Sequence, residues 1–363
     1  MGIRLLRWLA CALALPLAMQ TLAADKAPKE PLQIGFLYQS PISDVGWVAQ
    51  HELARKQLEK EFGNRIRTHY VENVKVGADG GRVMRDMVGQ GDKLLILGSF
   101  GFMTEGLKLA ADEPDVKFMH ASGYRTAPNF STYDARWYEG GYVAGVLAAK
   151  VTKSKTLGYV GAVPIPVVVA LVNAFTQGAR SVDPSISVRV VWVNEWYDPG
   201  REREAAQALI DQGADVIGSA FQDTPAVVQL AESKGVWSIG MFSDVARFAP
   251  NRLITSITHD WTPFMRKAVQ ETLAGNFKGQ SYLGGLKDKV VALTPFNKNL
   301  PADAVALANK VEQDIIDGRL LPFAGPLKDA DGKERVAKGA SLPEKDILSM
   351  NWLVEGIVGK LPN

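Results

Sequence analysis

The chain has 363 residues, with 41 Lys and Arg against 39 Asp and Glu, a formal net charge of +2. That near-balance, with both signs mixed along the chain, supplies no basic stripe for nucleic acid. A single cysteine, Cys11, excludes an internal disulfide framework and a thiolate metal cluster.

The first thirty residues, "MGIRLLRWLACALALPLAMQTLAADKAPKE", read as an export signal. Arg4 and Arg7 form a positive start, and the apolar run from Trp8 to Met19 is shorter than the ~20 residues a membrane span needs. Small residues close it, so cleavage is expected near Ala23 or Ala24, making 1–24 a removed leader. Cys11 lies inside the apolar run rather than at its end, which argues against a lipid anchor and leaves the mature chain without cysteine. A soluble, exported protein follows. The mature length suggests two domains at ~100–200 residues each.

From Gln33 strand-like and helix-like runs alternate. "LQIGFLY" is a buried strand; Trp47–Phe62 follows as a helix, with Ala54, Leu58 and Phe62 four residues apart. "RIRTHYVEN" is a strand, Ala78–Gly91 a helix and "KLLILGSF" a strand covered on both faces. A helix at Thr104–Asp112 and the strand "VKFMHAS" complete a first array. After "FSTYDARWYEGGYVAG" the pattern restarts with "KTLGYVGAV", the helix Val167–Ser181 and the strand "ISVRVVWVNEW". The helix Pro199–Gln212, the strand "ADVIGSAF", the helix Pro225–Lys234 and the strand "VWSIGMFS" continue it. "RLITSITHD" and the helix Thr262–Ala274 are placed to cross back to the first array. The tail adds "KVVALTPFN", a helix at Pro301–Asp317 and a hairpin turning near Asp331-Gly332. Two βα arrays of this kind predict an α/β protein of two lobes, each a mostly parallel sheet with helices on both faces. The first lobe is expected to take 31–136 plus about 260–288, the second 137–259 plus about 289–363, with a ligand cleft between them. No helix-turn-helix precedes the lobes, unlike a DNA-binding repressor of related build.

Ligands of parallel sheets sit beyond the carboxyl ends of the strands. The residues placed there are Tyr38, Asp44 and Trp47, then Ser99 and Phe100, Trp196, Phe221, Gln222 and Asp223, Phe242 and Asp244, and Trp261. Aromatic rings interleaved with carboxylates and amides suit a small planar ligand, held by stacking and oriented at its edge. Each residue has a plainer alternative. Trp47 could pack onto its own helix, Trp196 could cover a lobe edge, and Trp261 could simply begin a helix. Asp44 could cap a helix, and Asp198, followed by Pro199, reads as a cap. Asp244 is the preferred ligand-facing carboxylate. No metal-ligand spacing joins His51, His69, His120 and His259, and neither a G-x-S-x-G elbow nor a phosphate loop occurs. Nothing in the sequence assembles a nucleophile, a base and an orienting group, so no enzyme, cofactor or metal is expected.

"GFLYQSPISDVGWVAQHE", "FSTYDARWYEGGYVAGVLA", "VWVNEWYDPGREREAAQALIDQGADVI" and "GPLKDADGK" together resemble the basic membrane protein family of substrate-binding proteins, across nearly the whole mature chain. The resemblance implies the two-lobed type I periplasmic binding fold and a receptor, monomeric and periplasmic, that meets the membrane only through the permease of an ABC importer. It also implies a purine nucleobase or nucleoside as ligand, with Trp47 and Trp196 holding the base and Asp244 bonding its polar edge or a ribose. Members of the nucleobase type carry more His after "ADVI" and an extra Asp before "SD". Here those places read "GSAFQDTP" and "GMFSDV". Phe221 and Phe242 thus replace polar groups, which tilts the pocket toward a more apolar or differently substituted ring. A sensor presenting the same ligand to a membrane receptor is the alternative, and a purine-processing envelope enzyme the least favoured.

Overall fold

The computed structural model describes residues 30–362, so the leader sequence and Cys11 lie outside the described residues. The first sheet is built from β1 (Leu32–Leu37), β2 (Ile66–Val71), β3 (Leu94–Leu97), β4 (Lys117–Ala121) and β5 (Phe130–Ala135). Helices α1 (Trp47–Phe62), α2 (Ala78–Gly89) and α3 (Met103–Asp112) connect the first four strands. Every residue of β3 is fully buried, as its unbroken apolar run requires for a strand with helices on both faces.

The chain then crosses to the second sheet through α4 (Trp137–Val151). There β6 (Thr156–Gly161), α5 (Pro166–Val182), β7 (Ser187–Trp192), α6 (Pro199–Asp211), β8 (Val216–Ala220), α7 (Ala226–Lys234), β9 (Trp237–Phe242) and β10 (Leu253–His259) follow in order. A second crossing leads into α8 (Thr262–Ala274) and β11 (Ser281–Gly284), and a third into β12 (Val291–Leu293). The remainder is α9 (Ala302–Ile316), the hairpin β13 (Leu327–Lys328) and β14 (Glu334–Val336), α10 (Glu344–Ile347) and β15 (Ile357–Val358). The first sheet has the order β11-β5-β4-β3-β1-β2 and is parallel throughout. The second has the order β12-β10-β9-β8-β6-β7-β15, with β12 its antiparallel edge. The edge strands β11, β12 and β15 therefore come from far along the chain, each beyond strands of the other sheet.

Local signals account for most element ends. Asp198 accepts from Arg201 N–H at 3.0 Å and Pro199 occupies the first turn, so the sequence reading of Asp198 as the cap of α6 holds. Gly235 and Gly275 end α7 and α8 in the left-handed conformation. The expected tail hairpin forms, with Gly332 at φ 83° in its turn. α4, β5 and β11 had no sequence assignment. α4 is apolar around most of its circumference and carries Gly140, Gly141 and Gly145, a composition without the 3.6-residue stripe.

Those glycines are a packing device. α4 lies against α5 so closely that a Cβ on Gly145 would strike the carbonyl oxygen of Phe175, and one on Gly178 that of Tyr142. Backbone cannot yield as a side chain does, so Gly145→Ala should cost at least the ~1–3 kcal/mol typical of overpacking. Gly89, at the end of α2, meets nothing, and Ala there should stabilise by up to ~1 kcal/mol. Urea midpoints at unchanged slope would show the two glycines moving in opposite directions.

Candidate functional site

Where the two sheets face each other, the strand ends turn inward through residues with positive φ. Asn73 follows β2 at 58°, Ser122 follows β4 at 55° and Asn194 lies just beyond β7 at 58°. Phe221 follows β8 at 63°, and Phe242 closes β9 at 68°. For a bulky aromatic this region is strained by about 1–2 kcal/mol. Two such Phe residues at adjacent strand ends place both rings in the cleft.

The cleft closes around a cavity lined by Gln39, Trp47, Ser99, Phe100 and Ser122 from the first lobe and Ile165, Trp196, Phe221, Asp223 and Phe242 from the second. It holds about 370 Å³ of empty space. A larger groove, with about 1530 Å³ of empty space, joins it at Phe100, Ser122 and Ile165.

Trp47 anchors one wall. Its Nε1–H donates to the Gly98 carbonyl at 2.8 Å. Its ring lies 5.2 Å from Phe242, 6.0 Å from Phe221, 5.5 Å from Trp261 and 6.3 Å from Trp137, centroid to centroid. Trp137 and Trp261, fully buried at the first two crossings, support it from behind. His51 locks the base of this cluster. Burial holds its pKa down at about 4, so its imidazole is neutral at physiological pH. Nδ1–H then donates to the Trp47 carbonyl at 3.0 Å and Nε2 accepts from the Tyr133 hydroxyl at 2.8 Å.

Polar groups reach the slot at its edge. Ser99 donates to the Gln39 side-chain oxygen and accepts from Gly101 N–H at 3.3 Å. Asp223, the single carboxylate among the lining residues, accepts from the Trp47 N–H on the opposite lobe. Burial raises its pKa well above the ordinary carboxylate range, the N–H donors of α1 oppose that, and neighbouring Glu202 adds to it. Ser243 accepts from Gly46 N–H at 3.0 Å and from Gln50 Nε2 at 2.7 Å, and Arg247 pairs with Asp44 at 3.1 Å. These bonds join the two lobes across the cleft.

Glu202 lies behind Asp223 with no exposure, and burial pushes its pKa up to about 7. A carboxyl raised in the folded state is unpenalised below its unfolded pKa and penalised once pH passes the folded value. Glu202→Gln, which keeps an acceptor for the Thr224 hydroxyl, should therefore match the wild type near pH 4.5 and melt higher above pH 7. The gap should approach roughly 3 kcal/mol. Thermal unfolding of both proteins across that range would show it, and a constant gap would refute the assignment.

Of the residues singled out in the sequence, Trp47, Ser99, Phe100, Trp196, Phe221, Asp223 and Phe242 line the slot. Five do not. Tyr38 is buried toward the far side of β1, where it stacks on Tyr70 at 5.9 Å and its hydroxyl points to Glu52. Asp44 is exposed at the rim in its pair with Arg247, neither capping nor lining. The preferred carboxylate, Asp244, is exposed and accepts from Ala246 N–H at 3.0 Å, so it ties a turn. Trp261 begins α8 as second-rank support, the plainer of its two readings. Gln222 is buried, and both its amide atoms lack a protein partner. The sequence reading missed Gln39, Ser122 and Ile165, although Ser122 and Ile165 also follow strands and the same rule would have found them.

Two parallel-sheet lobes crossed three times by the chain and closed on a buried slot define a solute-binding protein of the two-lobed periplasmic class. A solute-binding protein of an ABC transporter from Aeropyrum pernix superposes with a TM-score of 0.72 over 82% of this chain and 94% of its own, at 18% identity. One from Conexibacter woesei gives 0.63 over 80% and 98%, at 21% identity. Residues 32–321 match the Bmp family model, that of the PnrA-like ABC transporter substrate-binding proteins, and the chain belongs to that family. A purine-binding protein of Brucella abortus is 43% identical over 92% of this chain and 95% of its own. A putative ABC transporter glucose-binding protein of Haloferax volcanii is 35% identical over 92% and 82%.

Proposed function

We propose that this chain is the exported receptor of an ABC importer and takes a purine-type ring, as base or nucleoside, into the slot between its lobes. The observation that carries this reading is the slot itself. It is walled by Trp47, Phe221 and Phe242, and edged by Gln39, Ser99, Ser122 and Asp223. Stacking takes place on the faces of the ring, and those polar groups meet its heteroatoms. The name of the Brucella relative supports the ligand class. The name of the Haloferax relative, 35% identical against 43% for the Brucella one, raises a sugar as the second reading.

Binding is then the whole activity, and the closed receptor delivers its ligand to a membrane permease as a monomer. The chain divides into lobes of 31–136 plus about 260–288 and 137–259 plus about 289–363, in keeping with the membership of the two sheets. They hinge at the three crossings. The leader is removed near Ala23 or Ala24, which releases the protein to the periplasm.

The test is calorimetric titration of refolded, ligand-stripped protein with adenine, guanine, hypoxanthine, xanthine, urate, their nucleosides and glucose. Saturable binding of one purine with a change in Trp fluorescence is expected. Binding of glucose with no response to any purine would overturn the ligand class. Turnover of a bound nucleoside would favour an enzyme.

A further inference from the structure

The groove that meets the slot at Phe100, Ser122 and Ile165 lies between the lobes, with β5 and β11 on one side and the start of α5 and the α10 turn on the other. Its apolar wall is made by Tyr124, Ile165, Pro166, Val167 and Leu348. Tyr124 is 74% exposed and Leu348 38%. Singly such residues are ordinary, but gathered in a groove that opens from a ligand slot they mark a contact surface. The Tyr124 ring lies 6.2 Å from that of Phe100, so one aromatic wall continues from the slot into the groove. The polar groups of the groove are largely engaged within the protein. Thr132 donates to the Ser281 hydroxyl at 3.1 Å, the Tyr133 hydroxyl to His51 at 2.8 Å, and Ser349 to the Lys345 carbonyl at 2.9 Å. Asp134 accepts from Ala135 N–H at 2.7 Å and from Trp137 Nε1–H at 3.0 Å. A sugar would need free donors and acceptors in their place, whereas an apolar group needs only the wall.

We propose that the groove is a subsite for an apolar substituent carried by the ring in the slot, so that the ligand class is a purine extended by an apolar group rather than a bare base. The proposal rests on the ring-binding reading of the slot. The ring sits between Trp47, Phe221 and Phe242, and its substituent leaves the slot past Ser122 to lie along Tyr124, Ile165 and Leu348. Burying a group the size of a benzyl ring there should tighten binding ~10-fold or more.

The probes are adenine, 6-benzylaminopurine, 9-benzyladenine and adenosine, each titrated by calorimetry into ligand-stripped protein. Two points of attachment let either edge of the ring face the groove. At least one benzyl derivative should bind ~10-fold or more tightly than adenine, and adenosine should show no comparable gain. Tyr124→Ser and Leu348→Ser change exposed residues outside the slot and remove the apolar wall. The double variant should lose the benzyl gain and keep the wild-type affinity for adenine. Adenine bound with no gain from either benzyl group, or a gain that survives in the double variant, overturns the proposal and leaves the ring-binding reading standing. Adenosine bound more tightly than both benzyl derivatives would give the groove to a sugar and overturn it likewise. Absence of binding by all four probes would refute the ring-binding reading, and the proposal with it.

Discussion

Trp47→Ala is expected to weaken purine binding between ~5- and 150-fold, the range that corresponds to the ~1–3 kcal/mol of one lost stacking partner. The upper end is the expected value because Trp47 does more than stack. Its Nε1–H, bound to the Gly98 carbonyl, fixes the ring plane, and its ring also packs against Phe221, Phe242 and Trp261. Trp47→Phe separates these contributions. It keeps an aromatic face and the backbone contact but leaves Gly98 without its donor, a loss of ~1 kcal/mol, or ~5-fold in affinity. Calorimetric titration of both variants, each first shown to melt cooperatively, provides the comparison. Unchanged affinity in Trp47→Ala would remove this ring from the ligand wall and make Trp47 only a lobe-closing residue.

Phe242 should reverse the usual order of alanine and glycine. In ordinary backbone Gly is the less stable of the two by up to ~1 kcal/mol. Here φ is 68°, where an L-residue carries about 1–2 kcal/mol of strain that Gly does not. Either truncation removes a ring that packs against Trp47, Trp137, Phe221 and His259, and each should cost ~3–5 kcal/mol on that account. Phe242→Gly should nevertheless melt above Phe242→Ala, and both should lose purine affinity through the missing wall. If Ala proved the more stable, the left-handed conformation at β9 would be incidental rather than enforced. The same comparison at Phe221, with φ 63°, is an independent repeat.

The strain at these two positions also shows why the sequence was only partly readable at the site. Trp47, Trp196, Phe221 and Phe242 were legible because they follow strand-like runs, and the carboxyl ends of parallel strands must face the cleft. Asp244 and Asp223 could not be ranked that way. Both lie two residues beyond a left-handed Phe at a strand end, and they part only in their partners: Asp223 accepts from Trp47 N–H across the cleft, while Asp244 accepts from Ala246 N–H in its own turn. Asp44 was uncertain for a related reason, because its partner Arg247 is 203 residues away on the other lobe.

By itself the sequence determined the two βα arrays, the parallel sheets, most helix ends and the family, since each depends on local periodicity, capping chemistry or motif order. Tertiary structure alone decided which distant strands complete each sheet and how closely α4 and α5 approach. It also decided that the carboxylate in the slot is Asp223, holding the far lobe's helix. Those features are contacts between residues far apart in the chain, set by packing and by the fit of one lobe on the other. No local pattern encodes the choice between two carboxylates that are equally well placed until the lobes close.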